Sequence, residues 1–319
     1  MPETGLPSLP EEFEALLAEV VPPGCLDSAR QSFALDKPVC LRLNPLRGAT
    51  EAVRAELEEL GCRLQPVSWY RHAFFVPAEQ RPLLTASAAF AEGRIYLQSA
   101  SSMLAPLLLA PRPGEEVLDL AAAPGGKTLL LAALMANRGR IAAVEAVKGR
   151  FHRLLDNVRR AGADIVRCYL ADGRTIGRKV PGRFDRVLLD APCSSEARFS
   201  RRNPESWAHW SLRKVREMAR KQQGLLVSAL QACKVGGAIL YCTCSLSPEE
   251  NELNIARLLK RFRSQVCIEP IALPAEVAGM PGLCSWRGRE LPPELAQTVR
   301  VLPGARFDAF YLALLRKVA

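Results

Sequence analysis

From Val117 onward, short apolar runs alternate with amphipathic segments, and no other feature of the chain constrains its fold so tightly. The runs "VLDLA", "RIAAVEA", "IVRCYL", "RFDRVLLDAP" and "GAILYCTCS" have the length and composition of strands. "LLLAALMA", "GRFHRLLDNVRRAG", "SLRKVREMARKQQGLLVSALQAC" and "SPEENELNIARLLKRF" carry apolar residues at helical spacing. This alternation predicts an open, mostly parallel α/β sheet with helices on both faces. The closing "VRVLPGARFDAFYLALLRK" reads as two strands joined by a glycine turn, completing one edge antiparallel. Ligands of such sheets bind beyond the carboxyl ends of the strands, so the chemistry is to be sought where strands stop.

Residues 1–110 read differently, as a small α+β unit. "EEFEALLAEV" and "ATEAVRAELEELG" are helix-like, "PVCLRL" and "AFFVP" strand-like, and "LRLNPLRG" is a strand ending in a turn. "SASSMLAPLLLA" reads as a helix stopped by Pro111 and Pro113. The "PRPGEE" punctuation sets the boundary there, leaving 111–319 as the main domain. The 319 residues suffice for a main domain and a smaller partner. No apolar run is long enough to cross a bilayer. The acidic, proline-bearing start resembles neither a signal nor a transit peptide, so a cytoplasmic protein is expected.

The formal net charge is +10. Basic residues cluster on predicted helices at Lys148, Arg150, Arg153, Arg159 and Arg160, then at Arg213, Lys214, Arg216, Arg220 and Lys221, and again at Lys260, Arg261 and Arg263. Any one cluster reads equally well as a solvated helix face. With Arg198, Arg201 and Arg202 in an apparent loop, the whole set favours a polyanionic partner. The ten cysteines form no C-x-x-C pair, and His72, His152 and His209 lack ligand-like spacing, so neither a disulfide framework nor a metal site is expected. Cys40, Cys168 and Cys233, in apolar segments, read as small core residues.

The stretch "VLDLAAAPGGKT", Val117 to Thr128, ends like a phosphate-binding loop. That device needs a glycine five positions before its Gly-Lys, where this chain has Ala121. The alternative is a nucleoside-binding turn, whose small residues Ala121, Ala122, Ala123, Pro124, Gly125 and Gly126 let backbone approach a ligand closely. The next strand ends in Glu145, spaced to accept hydrogen bonds from ribose hydroxyls, and the one after leads to Asp172, placed to meet an adenine amino group. With no phosphate device, the expected ligand is adenosine-containing and uncharged there, and S-adenosylmethionine fits.

Two further strands end in cysteine-bearing turns, "LLDAPCSS" with Asp190 and Cys193, and "LYCTCSLSPEENE" with Cys244. Cys242, one residue inside its strand, is expected to be buried. Amino groups and hydroxyls attack a sulfonium methyl directly. The C5 carbon of a pyrimidine does so only after a thiolate has added to C6, which would explain the thiols. A carboxyl at the N3 edge, here Asp190, would stabilise the charge that develops, and a second thiol would assist removal of the C5 proton. The thiolate is the active form, so nearby positive charge or N–H groups should favour it.

"DLAAAPGGKT", "AVEA", "ADGR", "LLDAPCSS" and "YCTCSLSPEENE", in this order, resemble the NOP/Sun family of RNA 5-methylcytosine methyltransferases. The resemblance runs from about Arg42 to the C-terminus. It implies a Rossmann-like class I methyltransferase sheet, mostly parallel with an antiparallel C-terminal edge, and a small N-terminal RNA-recognition-like subdomain carrying Arg42 and Asn44. By motif match, Ala121 to Lys127, Glu145, Arg150, Asp172 and Asp190 would surround S-adenosylmethionine. Cys244 would be the nucleophile and Cys193 would assist product release; DNA cytosine methyltransferases instead use the cysteine of the Pro-Cys turn. The implied substrate is ribosomal RNA before transfer RNA, and the implied enzyme a monomer. A catalytically idle RNA-binding or assembly factor and an amino-group methyltransferase are the rival readings.

This chain departs from the family pattern in three places. "SEARFSRRNPE" follows Cys193 where Gly-Thr-Gly is usual, Gln98-Ser99 stands for Gln-Asp, and "LPGARFDAFYLALL" lacks Pro-His and has Ala309 for glycine. With no segment seen for an appended RNA-binding domain, recognition is expected to rest on the N-terminal unit and the basic helices. Phe199, Trp207 and Trp210 are candidates for stacking on bases, weighed against core packing.

Overall fold

The computed structural model describes residues 5–319; residues 1–4, on which part of the leader reading rests, lie outside the described residues. Five parallel strands form the centre: β5 (Glu116–Asp119), β6 (Arg140–Glu145), β7 (Val166–Leu170), β8 (Phe184–Asp190) and β9 (Cys233–Thr243), numbered after the four strands of the N-terminal unit. They lie in the order β7-β6-β5-β8-β9. Alternate residues of each strand enter opposite cores. Leu118, Leu189, Ile239 and Tyr241 face one side, and Val117, Leu188, Leu240 and Cys242 the other. Both faces are apolar because helices cover both, as a parallel sheet requires.

The C-terminal half of the sheet is more elaborate than a simple edge. The remaining strands are β10 (Val266–Glu269), β11 (Gly279–Pro281), the hairpin β12 (Ser285–Trp286) and β13 (Arg289–Glu290), then β14 (Val299–Val301) and β15 (Phe310–Lys317). The final strand β15 lies inside the sheet. It pairs antiparallel with β9 on one side, and with β14 and then β10 on the other. The outer positions go to β10 and β11, runs of four and three residues too short to stand out as strands in the sequence.

The N-terminal unit is a four-stranded antiparallel sheet of β1 (Val39–Leu43), β2 (Gln65–Pro66), β3 (Ala73–Val76) and β4 (Ile95–Leu97), in the order β2-β3-β1-β4. It packs Leu41, Leu43, Phe74 and Val76 on Val53 and Leu57 of the helix Thr50–Glu59. Packing does not divide the chain at residue 110. The helix Glu11–Val20 puts Phe13, Leu16 and Leu17 into the core of the large sheet, where Phe13 meets the Phe199 ring edge-on at 4.8 Å. The helix Ala100–Leu109 likewise buries Met103, Leu104 and Leu109 beneath that sheet.

The pair Arg42 and Asn44 joins the two units. Asn44 Nδ2 donates to Gly93 O (2.8 Å) and to Ala161 O (2.9 Å) at the end of the helix Lys148–Ala161. Arg42, 1% exposed, donates to Gln98 Oε1 (3.0 Å) and to Gly126 O (3.1 Å). Arg42 docks the small unit against the turn after β5 and Asn44 against the end of the helix Lys148–Ala161, so neither faces solvent as an RNA contact.

Candidate active site

The chain leaves β5 toward β6 and β7, and later returns on the other side of β5 as β8 and β9. Loops after β5 and β8 therefore diverge and leave a crevice at the switch of direction. A cavity of about 1130 Å³ opens there, reached by the ends of all five parallel strands and closed on one side by Tyr96 and Gln98 of the N-terminal unit.

The turn after β5 is held to its neighbours by backbone. Leu120 N donates to Leu188 O (3.0 Å) and Ala122 N to Val144 O (2.8 Å), which lays Ala121, Ala122, Ala123 and Pro124 along the cavity wall. The Ala123–Pro124 bond is cis. Gly125, at φ +113°, makes the bend into the helix Gly126–Leu134, and a Cβ there would meet Leu154 at 3.1 Å. Gly125 thus faces the neighbouring helix and shapes the turn without lining the cavity, whereas Gly126 and Lys127 do line it.

An acceptor waits at the end of β6. Glu145 is buried; its Oε1 accepts from Val147 N (2.9 Å), and its Oε2 has no hydrogen-bond partner. The nearest cation is Arg150 Nη2 at 3.8 Å, itself donating to Ala123 O (2.6 Å). A buried orphan acceptor on the wall of this cavity is what a ribose diol would satisfy. Asp119 Oδ1 is a second orphan. Burial, opposed by the Thr128 hydroxyl at 2.6 Å, pushes the Asp119 carboxyl up to about 7. Asp172 lines the same cavity, but Arg174 Nε donates to both of its oxygens (3.0 Å each) and Arg174 Nη2 to one (2.6 Å). An adenine amino group would therefore share an acceptor already engaged.

Lys127 bridges the nucleoside end and the thiol end. Its Nζ lies 2.7 Å from Asp190 Oδ2 and 5.2 Å from the centre of the Phe310 ring. Burial alone would lower the ammonium, but Asp190 and Cys242 hold it above its ordinary value. Cys242 is fully buried inside β9, with its thiol 3.6 Å from Asp190 Oδ1, and burial raises it well above the usual thiol range.

Cys193 and Cys244 leave different strands and meet, Sγ to Sγ, at 3.1 Å on one wall of the cavity. The two thiols are not equivalent. The hydrogen bond from Cys193 and the nearby Arg198 guanidinium bring Cys244 down to about 7 against the pull of burial. The same contact, with burial, raises Cys193 well above the ordinary range. The arrangement favours a thiolate on Cys244 and a proton on Cys193.

Several residues take parts that the sequence did not disclose. Arg198 turns into the cavity, away from Arg201 and Arg202, which donate to the carbonyls of Leu6, Pro7 and Ala34. Phe199 is buried against Phe13 and Trp210, and Trp210 Nε1 donates to Glu196 (2.9 Å), so these two rings are core residues rather than stacking platforms. The basic side chains Lys148, Arg153, Arg159, Arg213, Arg216, Arg220, Lys260, Arg261 and Arg263 are largely exposed on their helices. Among the described residues, no group of three His, Cys, Asp or Glu gathers to hold a metal ion, and no helix is long and apolar enough to cross a membrane.

A family model described as 16S rRNA methyltransferase RsmB/F matches residues 106–316, and one described as the N-terminal domain of 16S rRNA methyltransferase RsmF matches residues 9–100. The chain is 35% identical over 312 residues to a tRNA (cytosine(49)-C(5))-methyltransferase of Pyrococcus abyssi, covering 96% of this chain and 98% of that one. It is 34% identical to the ribosomal RNA small subunit methyltransferase F of Cronobacter sakazakii, across 100% of this chain and 65% of the relative. The chain thus spans under two thirds of the length of that bacterial relative. A crystal structure of a methyltransferase homolog protein from Pyrococcus horikoshii has a TM-score of 0.78 and 31% identity, covering 97% of this chain and 100% of that one.

Proposed function

The chain belongs to the RsmB/F family of 16S rRNA methyltransferases, and from that premise we propose that it methylates C5 of a cytosine in structured RNA, using Cys244 as a covalent nucleophile. The observation that carries this reading is the meeting of Cys193 and Cys244 at 3.1 Å on the wall of the cavity at the strand ends.

S-adenosylmethionine, when bound, supplies an electrophilic methyl group. The residues present suit it: the orphan Glu145 Oε2 for the ribose hydroxyls, the Ala121–Pro124 backbone along one edge, and Asp172 with Arg174 at the far end. Arg150, tied to Ala123 O, orients that backbone.

The target cytosine enters the thiol end flipped out of its stack. The Cys244 thiolate attacks C6, forming the S–C6 bond and moving the C5–C6 π pair so that C5 becomes nucleophilic. Asp190, held at 2.7 Å by Lys127, is the group we assign to the ring's N3 edge, and the Lys127 ammonium would offset the negative charge that grows there. C5 then takes the methyl. Once Cys244 is alkylated, Cys193 has lost its acceptor and gives its thiol proton to solvent; the Cys193 sulfur then takes the C5 proton, the C5–C6 double bond is restored, the S–C6 bond breaks and Cys244 leaves as the thiolate. Cys193, beside the departing sulfur, assists this last step.

Small-subunit ribosomal RNA is the favoured substrate because both family models describe enzymes of that RNA. The relative matched along almost its whole length is a transfer RNA enzyme, which makes transfer RNA the second reading. We place the enzyme in the cytoplasm, acting as a monomer. Incubating the protein with labelled S-adenosylmethionine and either small ribosomal subunits, naked 16S rRNA or bulk transfer RNA, followed by nucleoside mass spectrometry, tests the assignment. Label in 5-methylcytosine from ribosomal RNA supports it. Label confined to transfer RNA selects the second reading, and label in an amino-methylated base contradicts the thiol chemistry.

A further inference from the structure

Behind the two thiols lie two buried carboxyl groups that the reaction above does not use. Glu196, three residues past Cys193, is 0% exposed and accepts five hydrogen bonds. They come from Ser245 Oγ (2.7 Å), Leu246 N (2.6 Å), Ser247 N (3.1 Å), Ser247 Oγ (2.6 Å) and Trp210 Nε1 (2.9 Å). Four of the five belong to the segment just after Cys244. Glu250, also 0% exposed, reaches in the opposite sense. It accepts from Ser194 N (3.1 Å) and from Gln222 Nε2 (2.6 Å), and contacts Ser194 Oγ. Each turn therefore sends a carboxyl group into the other.

A serine hydroxyl lies between them. Ser245 Oγ lies 2.7 Å from Glu196 Oε2 and 3.1 Å from Glu250 Oε1, yet a hydroxyl has one proton to give. Ser245 Oγ also accepts from Ser247 N (3.0 Å), so once it donates to Glu196 its contact with Glu250 is a hydrogen bond only when Glu250 carries the proton. None of the hydrogen-bond partners of either side chain is a cation. Those facing Glu250 are Ser194, Gln222 and Ser245, and those facing Glu196 are Ser245, Ser247, Leu246 N and Trp210; the titratable groups nearest Glu250 besides Glu196 are Cys193 and Tyr241, whose hydroxyl donates to Glu250 O.

We propose that Glu196 and a protonated Glu250 form a positioning pair that sets Cys193 against Cys244, in the place where the family resemblance leads one to expect a glycine turn. This rests on the two-thiol reading of the site. The pair touches no substrate; it acts by fixing the two turns from which the sulfurs project. Burial, with Glu196 nearby, pushes the Glu250 carboxyl up to about 8. A second charge appears beside Glu196 as pH rises through that value, and the brace weakens.

The test uses the full chain with Glu250→Gln, Glu250→Ala and Glu196→Gln. Binding of S-adenosylmethionine reports whether each variant is folded, and iodoacetamide modification of Cys244 read by mass spectrometry reports the thiol geometry without any RNA. Glutamine at 250 mimics the protonated acid, so Glu250→Gln should keep wild-type kcat and Cys244 reactivity, whereas Glu250→Ala loses both. Glu196→Gln should lower kcat on the order of 10²-fold, through misplacement of the sulfur, with cofactor affinity unchanged. The stability profile supplies a second readout. Glu250 binds its proton more tightly folded (about 8) than at the ordinary value of 4.5, so its contribution is fully present below 4.5 and is lost as pH rises through about 8. Glu250→Gln should flatten that slope. Equal losses in Glu250→Gln and Glu250→Ala, or unchanged Cys244 alkylation in Glu196→Gln, would overturn the proposal. Altered alkylation alongside an absence of methyl transfer to any RNA would uphold the brace and count against the assigned activity alone.

Discussion

Cys193 Sγ and Cys244 Sγ lie 3.1 Å apart across 51 residues of sequence, and the Arg198 guanidinium beside Cys244 makes them chemically unlike. One hydrogen bond cannot serve two thiols symmetrically. The donor keeps its proton, and the acceptor is stabilised as the anion. Arg198 sets the direction, favouring the anion on Cys244.

The first consequence is a pH dependence. Cys244 has its titration brought down to about 7 by Cys193 and Arg198, so its thiolate forms as pH rises through that value. Iodoacetamide should modify Cys244 faster across the same range and spare it below, where the sulfur is protonated. Cys193→Ala removes the donor and should move the midpoint upward. A midpoint unchanged by that substitution means the contact does not activate the nucleophile.

Arg198→Gln should act in the same direction through charge alone. Its guanidinium lines the cavity and responds most strongly to Cys244. Losing it should shift Cys244 alkylation to higher pH and slow methyl transfer about tenfold near neutrality, as the thiolate fraction falls. Recovery of rate at alkaline pH would identify the defect as one of ionisation.

Gly173 tests the packing that places Asp172. A Cβ there would meet Leu120 O at 2.7 Å and Leu225 Cδ2 at 2.8 Å, and the carbonyl cannot retreat without moving the turn after β5. Gly173→Ala should destabilise the fold by about 1–3 kcal/mol, seen as a lower Tm, and weaken cofactor binding in calorimetry. Gly149→Ala is the contrast. Nothing lies within 4 Å of that added methyl, and the helical position should gain about 0.5 kcal/mol.

Asn44→Ala should loosen the small unit. It deletes the donor to Gly93 O and Ala161 O and leaves both carbonyls short of a partner, at a cost of about 1–3 kcal/mol. Hydrogen exchange should quicken in β1–β4 before it does in β5–β9. Uniform quickening would mean that the two units open as one.

The parallel strands were legible because strands buried on both faces are continuous apolar runs, and the residues closing β6 and β8, Glu145 and Asp190, are charged. The cysteine turns were legible for the same reason: a polar or reactive residue just past such a strand lies on the ligand side. Long-range packing was not. Phe13 reaches Phe199 across 186 residues of sequence, and no local period announces that the first helix belongs to the large core. Asp172 lies two residues past the end of β7, and its partner Arg174, two positions later, claims the carboxylate. The roles of Arg198 and Glu196 depend on how the segment after Cys193 folds back over the segment after Cys244, which spacing alone does not encode.

Covalent capture of RNA tests the central claim most directly. Wild type, Cys193→Ala and Cys244→Ala are each mixed with S-adenosylmethionine and unmodified cellular RNA, then run on a denaturing gel. Cys193→Ala should accumulate a protein band shifted by covalently attached RNA, since Cys244 attacks and the leaving step stalls, while Cys244→Ala shows none. A shifted band with Cys244→Ala and none with Cys193→Ala would contradict the account and make Cys193 the nucleophile.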